Sequence, residues 1–303
     1  MTVKIINLFI AFVVLLSSIF RVDLGYGMNP TRKTLDLEGE GYQLVWSDEF
    51  KGDSLDKDKW NDDQSVDGCH WGAVRRGGFW HKDMIRVSDD NLYIDVKYVD
   101  EEQAARYGGD YKAGWYTAYV TTRLSNPDNT NEPDDFLYGY FETRCILPPG
   151  EGLWSAFWMM NKGVYTVGDD GRDGTEIDVF ESLDSYQAPR KTANAIGSNL
   201  HWDGYGDDHV GYHVGTFYPQ NDPYTEYNTY GVKWTPDEYV FYINGHETAR
   251  TSRGGVSQNP EFLLLSIEID GSGGVPGGRG DISRNPDNMT FVVDYVRVYQ
   301  IAE

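Results

Sequence analysis

Cysteine is nearly missing from this chain. Cys69 and Cys145 are the only two in 303 residues, which allows one disulfide at most and excludes a scaffold stapled by several bridges. Whether the two meet is not readable from spacing, so a Cys69–Cys145 bridge and two free thiols both stay open. Positive charge is scarce as well: 26 Lys and Arg against 48 Asp and Glu leave a formal net charge of −22. Nucleic acid and anionic membranes need basic patches, so neither is expected as a partner, and the same repulsion argues against a heavily sulfated polymer. Long apolar runs are absent except for Ile5–Phe20. No extended segment carries a helical period and no repeat of about 20 to 50 residues recurs, which argues against helical bundles and solenoids.

The single apolar run follows Lys4 and precedes the small residues of Leu24-Gly25-Tyr26-Gly27, the layout of a secretory signal peptide. Residues 1–27 are expected to be removed, leaving 28–303 as a single soluble, exported and monomeric domain. Retention of the run as a membrane anchor is the alternative. Aromatic residues are abundant at 15%, with 9 Trp and 22 Tyr. Strands favour them, but the excess also suits flat surfaces offered to sugar rings.

Short alternating segments recur: YQLVWSDEF, NLYIDVKYV, YGYFETRCILP, EYVFYINGHE, EFLLLSIEI and MTFVVDYVRVYQ. Most are bounded by Asp-Gly, Asn-Gly or Pro-containing turns, and Asn244-Gly245 can take the positive φ angles of a tight hairpin turn. The pattern predicts an all-β fold, a sandwich or jelly roll in one domain. The loop GSGGVPGGRGD contains Arg279-Gly280-Asp281, a three-residue match in a glycine loop that is read as chance. Asn288-Met289-Thr290 is a glycosylation sequon, meaningful only in a eukaryotic host.

The chemistry concentrates in GTEIDVFES, where Glu176, Asp178 and Glu181 crowd into six residues. On a helix, Glu176 and Glu181 would lie about 140° apart and could not converge. On a regular strand, Glu176 and Asp178 share a face and Glu181 turns to the other. One extra residue around Val179-Phe180, a β-bulge, would restore the phase and bring all three acids to one face. Such an array is poor for stability, because like charges raise one another's pKa values. It suits a glycosidase, which needs one ionised carboxylate as nucleophile and one protonated carboxyl as general acid. The competing readings are a solvated strand face and a calcium site, but calcium loops place their acids in polar turns rather than among Ile177, Val179 and Phe180.

EIDVFE resembles the bulged E-x-D-x-x-E signature of glycoside hydrolase family 16. Further blocks resemble that family in its order along the chain: LVWSDEFKGDSLDKDKW (44–60), YGYFETRCILPPGEGLWSAFWMM (138–160), YNTYGVKWTPDEYVFYINGHE (227–247) and FVVDYVRVYQ (291–300). The resemblance implies a jelly roll of two curved antiparallel sheets with a concave cleft for a polysaccharide. It implies Glu176 as nucleophile, Asp178 as its assistant and Glu181 as acid/base, with retention of configuration and no cofactor required for the chemical steps. By the same resemblance Trp154 lines the cleft, His201 and Trp202 face the catalytic strand, and Asp294 matches a structural calcium position, with an ordinary strand carboxylate as the alternative. Trp158 shares a face with Trp154 and is read equally as core or cleft. His209 and His213 have ligand-like spacing but no third partner, so zinc is not expected.

The departures concern the sugar. The family often has Gly-Arg-Phe-Glu where this chain has Gly139-Tyr140-Phe141-Glu142, which puts Tyr140 in an expected cleft position and leaves Arg144 as a nearby cation. The expectation is a secreted endo-β-glycanase acting on β-1,3- or mixed β-1,3/1,4-glucan. The alternatives are a galactan-directed hydrolase, a transglycosylase, or a glucan-binding protein without activity, which typically lacks one or both glutamates.

Overall fold

Alternating apolar residues give each strand a face to bury, and most of the seventeen strands among the described residues meet that need in two large antiparallel sheets packed face to face. The structure is a computed structural model and describes residues 34–62, 74–75, 77–123, 136–182, 194–269, 282, 287 and 289–302. The expected signal peptide, Cys69, Arg279–Asp281 and Asn288 lie outside the described residues.

One sheet has eight strands. Its order is β15 (His246–Thr251), β14 (Tyr239–Ile243), β13 (Asn228–Trp234), β8 (Gly139–Ile146), β17 (Thr290–Ile301), β4 (Asn91–Asp95) and β3 (Ile85–Ser88), with β1 (Tyr42–Asp48) also paired to β17. The β14–β15 hairpin turns at Asn244-Gly245, both at positive φ (50° and 70°), as the turn chemistry requires. The second sheet has six strands in the order β12 (Val210–Phe217), β11 (Ile196–Trp202), β10 (Glu176–Glu181), β9 (Leu153–Met160), β16 (Phe262–Ile269) and β7 (Tyr119–Thr121). A small third sheet joins β2 (Phe79–Trp80), β6 (Gly114–Thr117) and β5 (Lys97–Val99). The one α-helix among the described residues, α1 (Glu101–Tyr107), is capped by Asp100, whose side chain accepts from Gln103 N.

The main core fills the space between the two large sheets. Phe141, Cys145, Tyr230, Val232, Phe291, Val293 and Val296 come from the eight-stranded side, and Phe157, Met159, Ile177, Phe180, Leu200, Leu263 and Leu265 from the other. Phe180 packs on Tyr230 at 4.5 Å between ring centroids and meets Phe291 edge-on at 6.1 Å. Cys145 is a free, buried thiol in this layer, its pKa pushed well up by burial. The face of the six-stranded sheet opposite the core carries the acidic cluster, beside a second apolar cluster that includes Trp80, Ala156, Trp158, Met160, Phe262 and Leu264. The sandwich jelly roll read from the alternating segments is therefore the observed fold.

Candidate active site

The six residues of β10 bury Ile177, Val179 and Phe180 in the inter-sheet core and leave the acids for the other face. Register explains how. Asp178 pairs with Asn199 and Glu181 with Gly197 on β11, so three steps on β10 oppose two on its neighbour. The same slip appears against β9, between Asp178 and Phe180. This is the bulge expected at Val179-Phe180, and it turns two consecutive apolar residues inward. Ser198, facing the bulge from β11, donates its hydroxyl to Val179 O at 2.9 Å. That bond satisfies a buried carbonyl where the ladder slips.

The three acids sit in different surroundings. Glu181 accepts from Trp154 Nε1 at 2.6 Å on one oxygen and from Asn199 Nδ2 on the other. Glu176 accepts from the hydroxyl of Tyr205. Burial pushes the Glu176 carboxyl up to about 7 and Glu181 adds repulsion, while the Tyr205 bond pulls it back down. Asp178 is buried deepest, and burial followed by repulsion from Glu181 and Glu176 holds its carboxyl well above the usual range. Burial and mutual repulsion thus act on both carboxyls in the same direction, so the two titrate as a pair, and the more deeply buried Asp178 is the better seat for a proton. His201 Nε2 lies 3.4 Å from Asp178 Oδ2, and its ring is kept neutral because burial pushes its pKa down to about 4, with His209 adding to the effect. A cavity of about 230 Å3 opens over the cluster, lined among others by Trp154, Trp158, Glu176, Asp178, Glu181 and Tyr205.

Trp154 and Trp158, four apart on β9, both line this cavity, and Trp158 Nε1 is anchored to Ser266 Oγ at 3.1 Å. His201 stands opposite Glu176 in the β10–β11 register. Trp202 does not reach the cleft. It follows His201 on the same strand, so alternation turns it into the core, where its ring packs over Gly254. Tyr140 and Arg144 are also away from the site, because β8 pairs with β13 and β17 in the eight-stranded sheet and takes no part in the six-stranded one. Tyr140 is fully buried in a separate cluster with Val240 and Tyr242, under Leu35, Leu37 and Tyr42, and its hydroxyl donates to Glu142. Arg144 pairs with Asp294 and lies 4.1 Å over the Tyr227 ring. The surroundings of Asp294 do not fit a calcium ion held by acidic side chains: a guanidinium already engages the carboxylate, and no cluster of three metal-binding side chains among the described residues includes it. The one such cluster among them is Glu176, Asp178 and His201, with ligand atoms within 4.8 Å of one another.

Several residues of the site lie outside the motifs that the sequence makes conspicuous. Asn199 is nonetheless legible, being two before His201 and hence on the same face. Tyr205 belongs to a Gly-Tyr-Gly loop with no period to place it. Arg75 and Glu268 pair across the cavity wall at 2.8 Å, with the guanidinium 4.1 Å over the Trp80 ring, and they come from segments nearly two hundred residues apart in sequence.

A family model described as the glycoside hydrolase family 16 domain of β-porphyranases A–D matches residues 43–301. Glucan endo-1,3-β-glucosidase A1 of Niallia circulans is 26% identical over 287 residues, covering 86% of this chain and 38% of that protein. Keratan-sulfate endo-1,4-β-galactosidase of Sphingobacterium multivorum is 27% identical over 274 residues, covering 86% of this chain and 56% of that protein. The chain thus spans well under two thirds of either relative. The crystal structure of SCLam, a non-specific endo-β-1,3(4)-glucanase, matches with a TM-score of 0.64 at 25% identity, over 90% of this chain and 96% of that one. The match of 43–301 runs from β1 through the bulged acidic strand to β17, and on that ground the chain belongs to glycoside hydrolase family 16.

Proposed function

We propose that this glycoside hydrolase is a retaining endo-β-glycanase in which Glu176 is the nucleophile, Glu181 the acid/base and Asp178 the residue that tunes Glu176. The observation that carries the reading is the bulge, which places three carboxyls on one face in three different hydrogen-bond environments. In the first step Glu176 attacks the anomeric carbon, the glycosidic C–O bond breaks, and Glu181 gives its proton to the departing oxygen. In the second, Glu181 takes a proton from water, whose oxygen displaces Glu176 from the same carbon. Two inversions return the original configuration. Asp178, protonated beneath the pair, leaves the negative charge on Glu176, and Tyr205 stabilises that charge until it is spent in the covalent bond.

A β-linked galactan is the backbone we favour, because the model matching nearly the whole domain is that of β-porphyranases and a keratan-sulfate galactosidase is among the relatives. The β-1,3- or mixed-linked glucan expected from sequence is the second reading, favoured by the glucanase relatives. For either, the sugar seated against the trio is uncharged: the described lining residues include four acidic side chains, and the one cation, Arg75, is paired with Glu268. A polymer of this kind is met outside the cell, consistent with export by residues 1–27. The purified protein is tested on agarose, porphyran, keratan sulfate, carrageenan, laminarin and lichenan, with NMR of the first product anomer. Cleavage of a galactan with retention is expected. Activity confined to laminarin or lichenan overturns the backbone, and an inverted product overturns the mechanism.

Tyr205→Phe supplies a pH test. Its hydroxyl lowers the Glu176 pKa, so its loss raises that pKa, and the acidic limb of kcat/KM moves to higher pH. The expected shift is about one pH unit, the equivalent of the ~1.5 kcal/mol of a hydrogen bond to a charged group. Activity therefore falls more at pH 6 than at pH 8. A shift confined to the basic limb contradicts the assignment of Glu176.

A further inference from the structure

The two histidines whose spacing suggested a metal have separate partners. His209 Nε2 meets His201 Nδ1 at 2.8 Å. His213 Nδ1 lies 2.7 Å from Asn199 Oδ1, and His213 Nε2 lies 2.9 Å from Thr216 Oγ1. Asn199 in turn donates to Glu181. The acid sets the direction of the chain. Asn199 presents its NH2 to the Glu181 carboxylate, so its amide oxygen faces His213 Nδ1, and an amide oxygen only accepts. His213 Nδ1 therefore carries the hydrogen in this arrangement, and in the neutral ring Nε2 accepts from the Thr216 hydroxyl.

An asparagine side chain is nearly symmetric in shape, and on its own nothing but its partners decides which end faces a neighbour. The two orientations of Asn199 have opposite effects on the acid beside it. Its NH2 toward Glu181 supports the carboxylate; its carbonyl oxygen there would repel it. His213 holds the first arrangement when its Nδ1 carries the hydrogen, and the Thr216 hydroxyl supports that tautomer by donating to Nε2.

The strand geometry is built for this contact. Asn199 and His213 are direct cross-strand partners, and the β11–β12 register slips between Ser198 and Asn199 so that Gly215 follows His213 without Val214 being paired. That second bulge places His213 and Thr216, three residues apart, on one face, as the first places Asp178 and Glu181. The two irregularities sit on strands flanking β11, at adjacent positions.

Resting on the assignment of Glu181 as acid/base, we infer that His213 is a positioning residue for catalysis, locking the Asn199 amide so that Trp154 and Asn199 together hold Glu181 in line with the departing oxygen. Glu181 is faced by Glu176 and Asp178 from its own strand, Trp154 from β9 and Asn199 from β11; His213 faces Asn199 and Thr216. With His213 removed, the amide is free to turn. The carboxyl is then poorly aimed, and a carbonyl oxygen beside it favours its protonated form.

The test compares two substrates of different leaving-group need: the polysaccharide that the wild type cleaves, and the 2,4-dinitrophenyl glycoside of its repeating oligosaccharide, whose departure needs little proton donation. For His213→Ala, kcat/KM on the polysaccharide is expected to fall about tenfold, a fraction of the 10²–10⁴ of general acid catalysis, while kcat/KM on the aryl glycoside changes less than twofold. The basic limb of the pH profile should move upward, and KM should hold. His213→Gln, whose amide can donate to Asn199 and accept from Thr216, should restore most of the loss. An equal fall on both substrates, or no fall on either, overturns the inference. Glu181→Gln is measured beside it: if that variant keeps polysaccharide activity, the acid/base assignment fails, whereas an inactive Glu181→Gln with an unaffected His213→Ala removes the relay alone.

Discussion

Glu176→Gln is expected to lower kcat by about 10⁴-fold or more, equivalent to about 5 kcal/mol of transition-state stabilisation. The amide keeps the size and most of the contacts of the carboxylate, including the approach of Tyr205, but it cannot form the covalent glycosyl bond. Folding should be unaffected, since removing a charge from a face that carries two further acids relieves repulsion. Asp178→Asn should be much milder, because an amide resembles the protonated carboxyl that burial and its neighbours favour there. The order of damage is thus itself a test. Rates on the identified polysaccharide decide it: a Glu176→Gln enzyme retaining more than a hundredth of wild-type activity, or an Asp178→Asn enzyme more impaired than Glu176→Gln, contradicts the division of roles between the two acids.

Phe180→Ala is expected to be the most damaging single change to stability. Phe180 is fully buried, packed on Tyr230 and edge-on to Phe291, so truncation leaves a cavity between the sheets and should cost about 3–5 kcal/mol. At about 2–4 °C per kcal/mol for a domain of this size, the Tm should drop by roughly 10 °C. A functional loss should accompany it even well below the new Tm. Phe180 is half of the bulge, and its burial is part of what turns Glu181 to the cleft. Leu44→Ala, at a side chain 51% exposed, is the control and should change stability by no more than about 0.5 kcal/mol. Equal melting of the two variants would remove the bulge from its structural role.

Much of the molecule is written in local pattern. The sandwich follows from strands that alternate between turns, and the broken phase of EIDVFE places a bulge where the register shows one. The differences between expectation and structure share a cause. Alternation says which residues of a strand share a face, but not which sheet the strand joins. The resemblance of Gly139-Tyr140-Phe141-Glu142 to a family segment with a cleft arginine suggests the cleft for Tyr140 and Arg144, whereas β8 pairs with β13 and β17. Trp202 breaks a rule that sequence does contain: adjacent residues of a strand face opposite ways, so His201 and Trp202 could not both line the cleft. Tyr205 and the Arg75–Glu268 pair depend on long-range loop placement, for which sequence period gives no signal.

The position of β17 matters for how the molecule comes into being. This strand pairs with β1, β4 and β8 at once, Tyr42 facing Ile301 at one end and Asp95 facing Thr290 at the other. The middle of the larger sheet is therefore the last of the described strands to be synthesised. Until then β4 and β8 present open edges with no partner between them, a state that invites pairing with other chains. Because the contacts it completes join the two ends of the domain, the final step closes a very long loop and should be slow. Chains arrested before residue 290 should accumulate as aggregates rather than as a trimmed enzyme, and expression should respond more to the rate of synthesis and to chaperones than to surface mutation.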